Sequence, residues 1–452
     1  MNFRVDEIIS ILDGEVIVKG ENINITGVSI DNRKIKKNDL FFAIRGERFN
    51  PNEVVLDVFD KGASACIVDE LLIDINEIPK GKTLIKVKNT KQSLGKLGKY
   101  HKEQLNTKIV AITGSVGKTS TRDMISTLLS SKYNVFKTKG NFNSDIGLPL
   151  MLLELNDSYD IAVLEMGMDH AGDIKYLVDL VNPDIAVITN IGVSHIQNFD
   201  NQEGIFNAKM EITSNFSKDN TLIVNGDDKF LKTIDTTEYN VIKIGESNYN
   251  DIVCKEISTN GLSSSCKINI NGEEELLSIN QPGKHNILNA MLSIAVGKIF
   301  DISVKEVESA FENIEKTSMR LDFIKKDNFT IINDCYNASP DSMKAAIEVL
   351  SNFKSNRRIC VLGSMFELGE ESLSEHKGVA EYIKEKNVDL VLVTGKYTQE
   401  FKKVLGSKCL LFKDKNSLTL HLKDIIKNED AILIKASRGM KFETITEELD
   451  KI

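Results

Sequence analysis

From about Ile109 onward, short unbroken runs of aliphatic residues alternate with longer stretches whose apolar positions recur every three or four residues. The runs read KIVAIT, YDIAVLEMG, PDIAVITNIG and TLIVNGDD, and later FTIINDCYN, RRICVLGSM, VDLVLVTGK and DAILIKASRG. Continuous Ile, Val and Leu suit strands covered on both faces, so the pattern predicts mostly parallel sheets with helical crossovers. Ligands on such sheets gather beyond the carboxyl ends of the strands, where each run closes on glycine or polar residues. The first hundred residues differ. GVSIDNRKIKKNDLFFAIRG offers short strands and a basic turn, and KQSLGKLGKYHKEQL reads as a joining helix.

A chain of 452 residues exceeds what one hydrophobic core organises. The expected fold is α/β in three domains. They are a small N-terminal α/β domain over residues 1–85, a central P-loop ATPase-like domain with a mostly parallel sheet over 86–315, and a C-terminal Rossmann-like α/β domain over 316–452. Composition narrows the function classes. With 41% hydrophobic and 27% charged residues the chain has a globular balance. Its net charge of −9 argues against nucleic acid or an anionic membrane surface as partner. The opening MNFRVDEIISILDGEVIVKG lacks the apolar core of a signal peptide, and the six cysteines show no paired metal-type spacing. A reduced, cytoplasmic, monomeric enzyme that does not insert in a membrane is the expectation.

The stretch VAITGSVGKTSTRDMI carries the first chemistry. Strand, glycine turn and helix follow one another, which is the context of a phosphate-binding loop. Gly114, Ser115, Val116, Gly117, Lys118, Thr119 and Ser120 are the ATP-binding candidates. Lys118 neutralises outer phosphates and the Thr119 hydroxyl ligates Mg²⁺; the plainer alternative is a tight turn with an exposed lysine. Only two residues separate the glycines, where the common loop has four.

This short TGxxGKT loop resembles that of the Mur ligase family. GNFNSDIGLP, EMGMDHAGDI, NPDIAVITNIGVSHIQNF, EGIFNAKMEI, GKHNILNA, DCYNASPDSMKAA, GSMFELGEESLSEH and IKASRGMKFE continue the resemblance in order. They place the chain near the branch that joins D-alanyl-D-alanine to UDP-N-acetylmuramoyl-tripeptide, and these two small molecules are the implied substrates. ATP and Mg²⁺ are the implied cosubstrate and metal, with transfer of the γ-phosphoryl group to a carboxylate before an amine attacks.

The resemblance implies a role for each matching residue. Glu165 ligates Mg²⁺, although a strand-end carboxylate also serves as a helix cap. His195 is a second metal ligand and catalytic residue, against the commoner reading of a structural histidine. Lys209 matches a carbamylated, catalytic and metal-binding lysine, against the usual solvated lysine. Asn141 and Asn143 are substrate-binding candidates. His285, Asn286 and Asn289 open a helix and face adenine, or else cap and decorate that helix. Arg320 reaches the phosphates and Asp334 the ribose. Tyr336 and Asn337 lie beside nucleotide or dipeptide. Lys435, Ser437 and Arg438 face the dipeptide carboxylate. Ser29, Asp31 and Arg33 meet the UDP part, or form a charged turn.

The chain departs from the family pattern at Asn32, at Asn50-Pro51-Asn52-Glu53, at Ser364 and at Ala436. These departures bear on substrate identity, so a paralogue ligating another acid–amine pair is the second reading. About a hundred residues before the loop argue against a folylpolyglutamate synthase. A nucleotide-switched binding protein is a third reading, and the chain lacks an Asn-Lys-x-Asp guanine motif. ATP and the first substrate are expected to favour closure of the last domain onto the central one.

Overall fold

The computed structural model describes residues 3–451 apart from 271, 313 and 315–317. The expected boundary between residues 315 and 316 therefore lies outside the described residues. Three main sheets organise the described chain, and each aliphatic run named above forms a strand in one of them.

The N-terminal sheet has five strands in the order Glu15–Val18, Thr83–Lys86, Ala65–Val68, Asp39–Phe42, Gly27–Ser29. Its first pair is antiparallel and the rest are parallel. Ala65–Val68 and Asp39–Phe42 are buried along their whole length, as apolar central strands must be. A helix over Thr90–Glu103 leads out, its first turn capped where the Asn89 Oδ1 accepts from Gln92 N at 2.9 Å.

That helix joins two cores. Leu94 and Leu97 pack in the N-terminal core together with Leu153, which belongs to the helix Gly147–Glu154 of the central unit. Gly98 permits the approach, because a Cβ there would lie 3.1 Å from the Pro149 backbone. His101 Nε2 completes the junction at 2.9 Å from the Leu155 carbonyl oxygen.

The central sheet has nine strands, and from Val135–Lys137 across to Ile252–Thr259 every neighbouring pair is parallel. Side chains alternate between its faces. Val110 and Ile112 enter the core beneath the helices Lys118–Leu129 and Lys284–Ile299, while Ile109 and Ala111 enter the core beneath Gly147–Glu154 and Asp173–Val181. The strands Ser264–Ile270 and Glu273–Ile279 extend the sheet antiparallel. Their polar alternation, as in EEELLSI, leaves one face open and gives no aliphatic run to read.

The C-terminal sheet has six strands, all parallel except the pair Asp322–Lys325 and Phe329–Asn333. Val193 and Ile196 of the central unit pack against its core. Among the described residues no helix is long and apolar enough to cross a membrane. All six cysteines are free and buried.

The glycine contact at the first junction is testable. Gly98→Val should lower the urea midpoint of the unit it joins by the equivalent of about 1–3 kcal/mol, since overpacking outweighs the better helix propensity of valine. An unchanged or higher midpoint contradicts the close approach.

Candidate active site

The strand Lys108–Thr113 lies between Ile161–Glu165 and Ile185–Ile188, and all three run parallel. Their carboxyl ends deliver the glycine loop, Glu165 and the segment Thr189–Gly192 to one place. Gly114 has φ +148°, and a Cβ there would lie 1.8 Å from Thr189 Oγ1. Gly117 has φ +89°, and a Cβ on it would come within 2.9 Å of Asn289 Oδ1. Both positions require glycine.

The segment after Ile188 braces the loop. Ser115 N donates to the Asn190 carbonyl at 3.1 Å and Val116 N to Asn190 Oδ1 at 2.9 Å. Gly192 N donates to Ser115 Oγ at 2.8 Å. Two loop amides are thus turned onto Asn190. The N–H groups that open the helix Lys118–Leu129 have no acceptors within that helix and no side-chain cap at Gly117, which leaves them available to an anion. Lys118 Nζ donates to the Gly114 carbonyl at 2.7 Å. Burial lowers its pKa, opposed by the nearby Glu165.

Glu165 is buried at the end of its strand. Its Oε2 accepts from Thr119 Oγ1 at 2.9 Å and its Oε1 from Asn143 Nδ2 at 2.8 Å, and Arg122 approaches within 3.5 Å. Thr119 and Glu165 together present hard oxygen donors. Among the described residues no three His, Cys, Asp or Glu side chains are arranged so that they alone could hold a metal ion. Two protein oxygens beside a phosphate loop fit Mg²⁺, which takes few protein ligands and completes its shell with water and phosphate.

Lys209 lies in the helix Gln202–Met210 and is only 2% exposed, so the reading as a solvated lysine is corrected. Burial and the charge of Lys118 push its pKa well down. A neutral amine in that position has the form that reacts with carbon dioxide.

One cavity of about 1330 Å³ unites these groups with residues of the C-terminal unit. Its wall includes Ser115 to Ser120, Asn141, Asn143, Glu165, His195 and Lys209 from the central unit. The same unit adds His285, Asn286 and Asn289 from the helix Lys284–Ile299. Arg320, Asp334, Tyr336, Asn337 and Lys435 close it from the other side. Arg320 stacks 4.0 Å over the Tyr336 ring, and its buried Nε has no hydrogen-bond partner. Asp334 and Lys435, which the family resemblance gives to different substrates, form a buried ion pair, and Leu321 N donates to Asp334 at 3.1 Å. Asn286 is buried and its Nδ2 donates to the Pro282 carbonyl at 2.8 Å.

Some candidates lie elsewhere. Ser437 is buried with its hydroxyl accepting from Phe366 N at 2.8 Å, outside the cavity wall. Arg438 is largely exposed and sits 3.5 Å from Glu443. Ser29, Asp31 and Arg33 stand in the N-terminal unit away from the cavity, where Arg33 grips both oxygens of Asp31 at 2.8 and 2.9 Å. That guanidinium holds the Asp31 carboxyl at about 2. Ser364 and Ala436 are buried behind the wall, the Ser364 hydroxyl donating to the Lys396 carbonyl at 3.0 Å. Asp169, Glu367 and the turn Asn260–Ser263 also line the cavity, and sequence reasoning missed them. The first two lie inside recognised motifs without being singled out, and the turn carries no signal beyond its glycine.

Burial pushes His285 from 6.5 down to about 4. Between those values the unfolded chain binds a proton that the native chain does not, so stability is full above pH 6.5 and is lost as pH falls toward 4. The loss should reach about 1–3 kcal/mol, and His285→Gln should remove that part of the slope. Equal slopes for both chains in denaturant titrations across this range contradict it.

Residues 112–297 match the Mur ligase middle domain and residues 319–438 the Mur ligase, glutamate ligase domain. The chain is 38% identical over 439 residues to the UDP-N-acetylmuramoyl-tripeptide–D-alanyl-D-alanine ligase of Bacillus subtilis, covering 95% of this chain and 94% of that one. It superposes on a crystal structure of MurF from Acinetobacter baumannii with a TM-score of 0.91 at 28% identity, covering 100% and 99% of the two chains. For MurF ligase from Thermotoga maritima in complex with ADP the TM-score is 0.84 at 26% identity, with 94% and 97% covered. The chain belongs to the Mur ligase family, within its UDP-N-acetylmuramoyl-tripeptide–D-alanyl-D-alanine ligase branch.

Proposed function

We propose that the chain is an ATP-dependent amide ligase that adds D-alanyl-D-alanine to UDP-N-acetylmuramoyl-tripeptide in cytoplasmic peptidoglycan precursor synthesis. The observation that carries this reading is the single cavity walled by the glycine loop on one side and by Arg320, Tyr336 and Asn337 on the other. A carboxylate does not condense with an amine in water until one of its oxygens becomes a good leaving group. Transfer of the ATP γ-phosphoryl group supplies this, and it needs alignment and charge neutralisation more than a protein nucleophile.

Each group then has a task. The helix N-terminus after Gly117 and Lys118 hold the outer phosphates, and Arg320 meets them from the C-terminal unit. Asn286, Asn289 and His285 lie toward the base. Asp334, held by Lys435, is placed for the ribose. Asn141 and Asn143 orient the tripeptide carboxylate, with its UDP part toward Ser29, Asp31 and Arg33. Tyr336 and Asn337 position the incoming dipeptide. Thr119, Glu165, His195 and a carbamylated Lys209 would hold Mg²⁺, which when bound neutralises phosphate charge. The amine attacks the carbonyl carbon of the acyl phosphate, an amide bond forms, and inorganic phosphate leaves. Residues 1–85, 86–315 and 316–452 divide these tasks between nucleotide-sugar, ATP and dipeptide. The wall formed by two units keeps water from the acyl phosphate.

A product-resolved assay across several nucleotide-sugar peptides and dipeptides tests the reading. ADP release should depend on both the tripeptide nucleotide and D-alanyl-D-alanine, with the pentapeptide nucleotide as product; dipeptide-independent turnover alone overturns it. Carbamylation is tested separately with ¹³C-bicarbonate. A carbamate carbon signal should appear in the native protein and vanish in Lys209→Arg, and its absence from both rules the modification out.

A further inference from the structure

His195 belongs to the central unit and Glu367 to the C-terminal one, and they meet at the cavity rim. His195 Nδ1 lies 2.8 Å from Glu367 Oε2 and 3.1 Å from Asp169 Oδ1. It is aligned for a full hydrogen bond with neither. The ring nitrogen thus sits between two carboxylates, one from each unit.

The main chain brings Glu367 to the same turn a second time, since Gln197 N donates to the Glu367 carbonyl at 3.4 Å. Gly369 supports this approach at φ +52°, where a Cβ would lie 3.1 Å from the Gln197 side chain. His195 and Glu367 themselves have φ values of +63° and +65°. Left-handed backbone at a residue with a Cβ is strained, and two such residues facing each other across a domain contact mark an arrangement that the surrounding packing imposes. Asp169 is held from the central side alone, its carbonyl accepting from Asn198 Nδ2 at 3.0 Å.

A neutral imidazole has one N–H and one bare nitrogen, and the partner of the N–H decides which is which. We propose that Glu367 is a positioning residue for His195: when the C-terminal unit seats, its carboxylate captures the Nδ1–H and leaves the Nε2 lone pair for the cavity. Asp169, with a side chain 68% exposed to water, is the weaker competitor for the same proton. Seating of the last unit and readiness of His195 are then one event. This inference rests on the ligase reading for the role of His195, but the tautomer does not require turnover to be observed.

The test uses the full chain with ¹⁵N-labelled histidine, bound to a non-hydrolysable ATP analogue and the tripeptide nucleotide. The chain has six histidines, and the spectrum of His195→Gln assigns the signal. The native complex should show the Nδ1–H tautomer at His195, Glu367→Ala should lose that preference, and Glu367→Gln, whose amide oxygen still accepts, should keep it. In steady state Glu367→Ala should lower kcat about tenfold or more with the KM for ATP within about twofold. An Nε2–H tautomer in the native complex, or a Glu367→Ala chain with unchanged tautomer and kcat, overturns the proposal. A Glu367-dependent tautomer in a chain that ligates no acid–amine pair sinks the ligase reading and upholds this one.

Discussion

The arrangement depends on an electrostatic demand at the glycine loop. Lys118 of the central unit shares one cavity with Arg320 of the C-terminal unit. Burial works against the charge of Lys118, and the buried Arg320 Nε has no hydrogen-bond partner. Of the acids in the same wall, Glu165 is engaged by Thr119, Asn143 and Arg122, and Asp334 by Lys435. A polyanion lying between the loop and Arg320 meets this demand, and its attraction is stronger in a water-poor cavity than at a surface. Because Arg320 comes from the far side, an anion bound between it and the loop would favour the seated position of the C-terminal unit.

The two domain contacts differ in kind. Toward the N-terminal unit, Leu94, Leu97 and Leu153 share one apolar core and Gly98 lets two helices touch. Toward the C-terminal unit Val193 and Ile196 pack against its core, but charged groups lie among them: His195 meets Glu367, and Asp341 lies so near Gly192 that a Cβ there would be 2.4 Å from its carboxylate. Burial and the neighbouring Asp228 raise the pKa of Asp341, opposed by Lys344. Apolar cores hold units together continuously, whereas charged contacts respond to what binds beside them.

Much of this was legible in the residues. Aliphatic runs gave the parallel strands, and the pattern Gly114–Ser120 located the loop because strand, glycine and helix signals coincide there. Glu165 was legible as the acid closing a run. The antiparallel extension Ser264–Ile270 and Glu273–Ile279 was not, since its strands alternate polar and apolar residues. Lys209 stands in a helix of mixed polarity, and only tertiary packing shows that it is buried. Ser437 follows a strand like other site residues, yet its hydroxyl is taken by the Phe366 amide. The pairings of Asp334 with Lys435 and of His195 with Glu367 join distant segments, which no local pattern reports.

The central claim is that the loop grips a triphosphate so that a substrate carboxylate accepts its γ-phosphoryl group. Tripeptide nucleotide labelled with ¹⁸O in the reacting carboxylate tests it most directly, by mass analysis of the phosphate released during ligation. The account predicts one ¹⁸O in each phosphate, carried over when the amine displaces it from the acyl phosphate. Unlabelled phosphate accompanying authentic amide product would contradict it.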